Sequence, residues 1–225
     1  FDEKYLYSNS TTGLVSYWNM DESTGTTVND VAGTNNGTAT GTKVLDGVYG
    51  KAREFSGTGN YITVPNSGDL QFSDVLTIEG WVNPNVADND GILYKGSLSG
   101  AQGEYQVTML NNVLYCHLNN DSVLINSTYA LSNNTWTYFA CTYDKNAGSN
   151  QFKMYLNGVL NAQATYSASL LTSPLYHLYI GVYFNSTYAF SGSIDELRVY
   201  NAAISTTDVK SNYLEGLSKI NSKVK

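Results

Sequence analysis

Two adjacent carboxylates, Asp195 and Glu196, stand inside the hydrophobic segment "FSGSIDELRVYNAAIS" at residues 190–205. Acids in such a place can transfer protons, hold a metal ion, or accept hydrogen bonds that close a fold. The segment is typical of a β-strand, in which successive side chains point to opposite faces. We therefore expect the two acids to diverge unless a bulge breaks the strand. Asp195 would then face a loop or an ion, and Glu196 and Arg198, on the other face, would form surface ion pairs with residues of neighbouring strands.

Few other residues carry catalytic patterns. His117 and His177 are the only histidines, and neither lies in an H-E-x-x-H motif. The chain also lacks the G-x-S-x-G pattern of a serine nucleophile. The sequence therefore predicts a protein that is not an enzyme.

The charge of the chain excludes one class of partner. The net charge is −7, and the twelve basic residues are scattered, whereas nucleic-acid binding needs clustered Lys and Arg. No apolar run approaches the ~18 residues of a membrane span. A surface rich in Tyr, Asn and Thr, together with low Lys content, favours an extracellular or cell-surface location. The start at Phe1, without Met or a signal peptide, is that expected of a mature or excised chain.

The segments that would position these acids have the sequence pattern of β-strands. Alternating apolar and polar runs, separated by turn residues, predict an all-β sandwich or barrel in one domain. Asn111-Asn112 predicts a tight hairpin turn, and Pro84 predicts the end of the strand "LTIEGWVNP". Trp81 and Trp136 are expected to pack between two sheets. One helix is predicted at 205–216, capped by Ser205 and Asp208 and ended by Gly216.

Seven phrases resemble, in order, the laminin-G-like domains of the concanavalin A-like lectin/glucanase superfamily. They are "GLVSYWNMDES", "KAREFSGTGNYITVPNSGDL", "LTIEGWVNP", "NTWTYFACTYD", "KMYLNGV", "LYIGV" and "FSGSIDELRVYNAAISTTDV". The resemblance implies a two-sheet antiparallel jelly roll at residues 14–215, with an N-terminal extension at 1–13 and a C-terminal tail at 216–225. Glycosidases of this superfamily carry paired acids at alternating strand positions, a pattern that is missing here.

The same resemblance implies a structural Ca²⁺ where an early loop meets the last strand. The oxygen ligands that calcium prefers would come from Asp21, Asp30, Asn36 and Asp195. The alternative is that Asp195 accepts hydrogen bonds from the backbone of a loop.

Aromatic and polar side chains on the later strands are candidates for ligand binding, because aromatic faces stack on sugar rings and amides fix hydroxyl groups. These candidates are Glu104, Gln106, Tyr115, His117, Tyr179, Tyr183 and Tyr188. The alternative is that most of the tyrosines simply cover the sandwich.

Two further features bear on the environment of the protein. Cys116 and Cys141 lie in strand-like runs and form either a disulfide or two buried thiols. Six Asn-X-Ser/Thr sequons offer glycosylation sites, unless they reflect only the abundance of Asn, Ser and Thr; they begin at Asn9, Asn36, Asn120, Asn126, Asn133 and Asn185.

The sequence thus predicts an extracellular, non-catalytic recognition module for a glycan or a cell-surface protein, stabilised by calcium. A second reading is a self-assembling surface subunit, such as an adhesin or pilus-like protein, in which Phe1–Ser8 adds a strand to a neighbour. A third is a glycosidase-like enzyme.

Overall fold

A computed structural model describes residues 11–85, 89–99, 102–184 and 188–223. The first nine strands are β1 (Leu14–Trp18), β2 (Thr27–Val28), β3 (Gly37–Thr40), β4 (Lys43–Asp46), β5 (Lys51–Ser56), β6 (Tyr61–Val64), β7 (Val75–Pro84), β8 (Asn89–Ser97) and β9 (Gln102–Leu110). The others are β10 (Val113–Leu118), β11 (Val123–Asn126), β12 (Thr137–Asp144), β13 (Phe152–Leu156), β14 (Val159–Ala164), β15 (Leu178–Ile180), β16 (Val182–Tyr183), β17 (Tyr188–Ala189) and β18 (Ser191–Tyr200). A 3₁₀ turn spans Gly68–Leu70, and helix α1 spans Thr206–Lys223.

The strands form two sheets, in which nearly all pairs are antiparallel. Sheet A has eight strands in the order β14-β13-β12-β7-β18-β5-β4, and β1 also pairs with β18. Sheet B has ten strands, with the path β11-β10-β9-β8-β15-β6-β3-β2 and the short strands β16 and β17 beside β8. The expected two-sheet sandwich is therefore confirmed. The long polar segment that follows β1 also contributes two strands to sheet B, β2 and β3.

Two separate apolar clusters stabilise the fold. The larger one lies between the sheets and contains alternate residues of both, such as Ile78 and Val82 from β7 and Val107 from β9. The smaller one lies between the outer face of sheet A and α1, and it holds Trp81 together with Tyr138. The prediction that Trp81 packs between the sheets is wrong, because odd-numbered residues of β7 face the helix.

Trp136 shares this position. It is partly buried against the smaller cluster, on the helix side of sheet A. Its predicted place between the sheets is therefore also wrong.

Several local predictions are confirmed. Asn111 and Asn112 both adopt positive φ, at 51° and 62°, and join β9 to β10 in an antiparallel hairpin. Strand β7 ends at Pro84. Ser205 caps α1 reciprocally with Asp208, since the Ser205 Oγ accepts from the Asp208 N–H and the Ser205 N–H donates to the Asp208 carboxylate.

The predicted end of the helix at Gly216 is wrong. Helix α1 continues to Lys223, so most of the expected C-terminal tail is helical. A Cβ at position 216 would lie 2.5 Å from Cζ2 of Trp81. Gly216 therefore serves close packing of the helix on the sheet and not its termination. Within the described residues this helix is also not apolar enough to cross a membrane.

The prediction that Asp195 and Glu196 diverge is wrong as well. A β-bulge interrupts β18 between Asp195 and Arg198, which pair with Trp81 and Glu79 of β7. Glu196 and Leu197 of β18 thus oppose the single residue Gly80 of β7, and Glu196 occupies the left-handed region at φ 54°. Both acids consequently lie on the outer side of sheet A.

The position of the bulge follows from the pairing of β18 along its other edge. Residues 191–194 of β18 pair with β5, whereas residues 197–200 pair with β1. The bulge lies at the point along β18 where pairing with β5 ends and pairing with β1 begins.

A disulfide joins the two sheets. Cys116 of β10 in sheet B is bonded to Cys141 of β12 in sheet A, and both side chains lie in the inter-sheet cluster.

Candidate functional site

A continuous row of side chains crosses the outer face of sheet B. In register across four strands, Tyr179 pairs with Tyr94, Tyr94 with Gln106, and Gln106 with His117. The residues on either side of them in β9, β10 and β15 point into the inter-sheet cluster. The period-two geometry of strands therefore places all four side chains on the surface that faces away from the core.

An open pocket of about 210 Å³ lies beside this row. Its aromatic wall is a stack of three rings: Tyr188 lies 4.9 Å from Tyr183 and 6.1 Å from Phe184, centroid to centroid, at interplanar angles of 26° and 15°. The Tyr94 ring meets Tyr183 edge to face at 6.1 Å. The pocket thus offers flat aromatic surface on one side.

Polar side chains also line the pocket. Asp121 Oδ1 accepts a 2.7 Å hydrogen bond from Gln106 Nε2 and lies 2.9 Å from His117 Nδ1. The second imidazole nitrogen, Nε2, lies 2.9 Å from Thr108 Oγ1. Burial lowers the pKa of His117, and the nearby Asp121 charge opposes that shift. Burial therefore favours the neutral form of the imidazole.

The sequence-predicted ligand residues divide into three groups. Gln106, Tyr183 and Tyr188 line the pocket itself. His117 does not line the pocket, but it contacts Asp121, which does. Tyr179 stands further along the row, next to Tyr94.

Tyr115 and Glu104 lie outside the pocket. The Tyr115 ring is 5.8 Å from the His117 ring, and Tyr115 pairs with Thr108 of β9, whereas His117 pairs with Gln106. Glu104 is buried, where its Oε1 accepts from the Ser173 N–H at 2.6 Å and lies 3.5 Å from Lys95 Nζ. Desolvation raises the pKa of Glu104 and lowers that of Lys95. These contacts tie the loop at Ser173 to the sheet.

Sequence reasoning missed five residues that line the pocket: Tyr94, Gly103, Asn120, Asp121 and Phe184. Tyr94 had a signal, since it is an aromatic residue within the strand-like run "GILYKGS". Asn119, Asn120 and Asp121 all adopt positive φ. Such a turn brings a polar cluster to the end of β10, which the composition "NND" could have indicated.

The predicted calcium ligands are engaged with the protein's own backbone. Asp30 Oδ1 accepts from the N–H groups of Tyr17, Ala32 and Gly33 at 2.9–3.1 Å, and Oδ2 accepts from Asn35 at 3.0 Å. Four donors thus surround one carboxylate, which stabilises the loop that follows β1.

The other three candidates are similarly occupied. Asn36 Oδ1 accepts from the Asp30 N–H, and Asp21 Oδ1 accepts from the Lys51 N–H. Asp195 Oδ2 accepts from the N–H groups of Val48 and Tyr49 at 2.7 and 3.2 Å.

Calcium coordination needs six to eight oxygens at one point. Over residues 11–85, 89–99, 102–184 and 188–223, no three His, Cys, Asp or Glu side chains form a group that could hold a metal ion. The candidate oxygens do not fit a shared calcium site in this arrangement. Calcium binding itself stays a prediction.

Glu196 takes part in a buried network under α1. Its Oε2 accepts from Arg198 Nη2 at 2.6 Å and from the Tyr17 hydroxyl at 2.5 Å. Arg198 Nη1 reaches Glu79 Oε1 at 3.5 Å, and its guanidinium lies 4.1 Å above the Tyr17 ring. Glu196 and Arg198 therefore pair with each other, and the expectation that their ion pairs lie at the surface is wrong.

The described sequons lie on the surface. Asn36, Asn120, Asn126 and Asn133 are exposed, whereas Asn9 and Asn185 lie outside the described residues, as does the Phe1–Ser8 extension. Glycosylation and self-assembly stay predictions.

Comparison with known proteins places this geometry in a family context. The profile of the Laminin_G_3 family, in the concanavalin A-like lectin/glucanases superfamily, matches residues 56–210. No curated protein sequence matches the chain.

Solved structures resemble the fold at low sequence identity. Domain 4 of AbnA, a GH43 extracellular arabinanase from Geobacillus stearothermophilus, solved in complex with arabinotriose, is 22% identical with a TM-score of 0.67; the match covers 88% of this chain and 96% of that one. The binding domain of Paraclostridial Mosquitocidal Protein 1 is 14% identical with a TM-score of 0.70, over 89% of this chain and 52% of that one. Trypanosoma rangeli sialidase is 14% identical with a TM-score of 0.70, over 92% of this chain but 34% of the enzyme.

Proposed function

The chain belongs to the concanavalin A-like lectin/glucanase superfamily, and on that premise we propose that it is an extracellular, non-catalytic carbohydrate-binding module. Its ligand would be a glycan, held in the outer-face pocket of sheet B.

The observation that carries this proposal is the pairing of two surfaces in one pocket. The stacked rings of Tyr183, Phe184 and Tyr188 form one side, and Gln106 and Asp121 form the other. A sugar ring presents an apolar face of C–H groups and a rim of hydroxyls. Aromatic rings can cover that face, while amide and carboxylate oxygens accept from the hydroxyls.

The size of the pocket limits the ligand. At about 210 Å³ it is smaller than the ~300–1,000 Å³ typical of sites for drug-sized molecules. One sugar unit fits, so the pocket is suited to a chain end or a single side-branch residue.

The acids around the pocket support binding over hydrolysis. Glycoside hydrolysis uses two carboxyl groups that flank the scissile bond, about 5 Å apart in retaining enzymes and further apart in inverting ones. Asp121 is the one carboxylate among the described residues that line the pocket. The nearby Glu104 is buried against Lys95 and the Ser173 N–H.

The similar structures are consistent with this role. One neighbour is a domain of an extracellular arabinanase captured with arabinotriose, and another is the binding domain of a toxin. At 14–22% identity these likenesses establish the fold, and the ligand of this chain remains the subject of the proposal.

A glycan array with the wild-type chain and Tyr188→Ala tests the function. We expect a defined set of glycans to bind and Tyr188→Ala to lose at least tenfold in affinity, because the central ring of the stack is removed. Tyr129→Ala is the matched control, since Tyr129 is half exposed and lies outside the pocket.

Four outcomes would count against the proposal. No binding across the array, or equal loss in the Tyr129→Ala control, would reject the pocket as a sugar site. Release of reducing ends from a bound polysaccharide would make the protein an enzyme. Concentration-dependent polymerisation without glycan binding would favour an assembly subunit.

A further inference from the structure

A second pocket lies on the opposite side of the sandwich, between the outer face of sheet A and α1. It encloses about 160 Å³. Leu14, Tyr49 and Trp81 supply apolar and aromatic wall, and Glu196 and Asn212 supply polar groups. It shares no residue with the sugar pocket proposed above.

Two buried oxygens in this pocket have no hydrogen-bond partner among the described residues. Asn212 is 3% exposed, and its Nδ2 donates to both carboxylate oxygens of Glu79, at 2.9 and 3.1 Å. Asn212 Oδ1 itself has no hydrogen-bond partner among the described residues.

Glu196 presents the second free oxygen. Its Oε2 is occupied by Arg198 and Tyr17, whereas Oε1 is unpartnered, although Glu196 is only 6% exposed. Buried acceptors are almost always satisfied in proteins. Two of the side chains that line the pocket thus each carry a buried acceptor without a donor.

The charges around the pocket favour a cation. Glu79, Glu196 and Glu215 supply three carboxylates at or behind the wall. Arg198 is already shared between Glu79 and Glu196. At the rim, the Lys219 ammonium lies 4.7 Å from the centroid of the Tyr49 ring and not against either free oxygen.

We propose that this pocket binds a primary alkylammonium group, the chemistry of a lysine side chain. An ammonium carries three N–H donors and no acceptor, which matches two acceptor oxygens. The apolar wall can cover the methylene stem, and the aromatic rim favours a cation. An alcohol would satisfy the acceptors less well, since it brings one donor and no charge.

The pocket can be tested with a minimal probe. We expect n-butylammonium to shift the Trp81 indole resonance in a saturable NMR titration. Two controls, 1-butanol and tetramethylammonium, should bind at least tenfold more weakly, because one lacks the charge and the other lacks N–H donors. Equal binding of 1-butanol, or no saturable shift with n-butylammonium, would overturn the proposal.

Two variants test the site through binding affinity in chains that still fold. Glu196→Gln should weaken n-butylammonium binding at least tenfold, provided that its thermal unfolding remains cooperative. Lys219→Ala removes the competing rim cation and should tighten binding several-fold. Lys210→Ala on the same helix is the matched control, since Lys210 lies over Tyr213 and outside the pocket. An unchanged affinity in Lys219→Ala would contradict the assigned site.

The same titration can distinguish two sources of the ammonium group, a lysine side chain of a polypeptide and a free diamine. Stronger binding of Nα-acetyl-lysine methylamide than of 1,4-diaminobutane would point to a polypeptide lysine. The reverse order would point to a free diamine. Either order supports an alkylammonium site, and failure of both ligands would exclude it. Tyr188→Ala, which disrupts the proposed sugar pocket on sheet B, should leave the affinities for all of these amines unchanged.

Discussion

Gln106 lies directly opposite Tyr94 in the register of β8 and β9, so an amide and an aromatic ring share the floor of the pocket on sheet B. The Gln106 Nε2 is committed to Asp121. A Cβ at Gly103 would come within 3.0 Å of Gln106 Oε1 and 2.8 Å of the Tyr94 ring. The absence of a side chain at Gly103 keeps both groups in place beneath the pocket.

Gln106→Leu should lower the affinity for a bound glycan about tenfold. A hydrogen bond contributes ~0.5–1.5 kcal/mol net, and 1.4 kcal/mol corresponds to a factor of ten. Titration calorimetry with a glycan identified on the array measures the effect. Gln163→Leu on β14 is the matched control, because Gln163 is exposed on the other sheet. A tenfold loss in that control as well would show that the effect is not specific to the pocket.

Asp30→Ala should lower the free energy of unfolding by about 3 kcal/mol, because four backbone N–H groups lose their acceptor. Chemical denaturation checks this, with the exposed Asp69→Ala as the control. If Asp30 acts through the loop backbone, the loss is the same in EDTA and in calcium chloride. If it is a calcium ligand, calcium stabilises the wild type, and Asp30→Ala abolishes that gain.

Gly216→Ala should destabilise the fold by about 1–2 kcal/mol. Replacing Gly by Ala inside a helix normally gains ~1 kcal/mol from helix propensity. Here the added Cβ would meet three atoms of the Trp81 ring at 2.5–2.7 Å, so the helix must move away from the sheet. Thermal unfolding measures the change. A rise in stability equal to that expected of an unconstrained helix would show that α1 is not packed on Trp81.

The titration of Asp195 should make the free energy of unfolding depend on pH. Burial, followed by the Glu196 charge, raises the pKa of Asp195 to about 8, although the Val48 and Tyr49 N–H groups oppose the shift. The native chain then holds a proton that the unfolded chain releases above about pH 4. Stability from this group is therefore present at low pH and is lost as pH rises towards 8.

Asp195→Asn removes this contribution. Denaturation at pH 5 and pH 8 should show a smaller fall in unfolding free energy for the variant than for the wild type. Equal falls would mean that Asp195 is ionised throughout this range. The Asp69→Ala variant again serves as the exposed control.

Much of the fold was predictable from period and turn chemistry. The sandwich, the Asn111-Asn112 hairpin, the end of β7 at Pro84 and the Ser205 cap all follow from local residue preferences. The family resemblance in the ordered phrases is confirmed by the profile match to residues 56–210.

The errors arose where tertiary contacts override local pattern. Gly216 looks like a helix terminator, yet the ring of Trp81 across the interface explains it. The bulge at Glu196 follows from the exchange of β5 for β1 beside β18, which involves strands more than 130 residues away in the chain. The alternation of apolar and polar residues within "GSIDELRVY" does not show which strands will pair with this segment.

The candidate site was predicted in part for the same reason. Gln106, Tyr183 and Tyr188 were found from residue type alone. Asp121 and Phe184 depend on turn conformations at the ends of β10 and β16, which only the assembled sheet brings together.

The central position of β18 has a consequence for how the chain reaches its native state. Residues 191–200 join β7 to β5 and β1, so sheet A stays in three pieces with unpaired edges until this late segment is added. Such long-range pairing makes folding slow, on the order of milliseconds to seconds. A chain released before Ser191 would expose those edges to other molecules, and aggregation of nascent or truncated chains is the hazard that this topology carries.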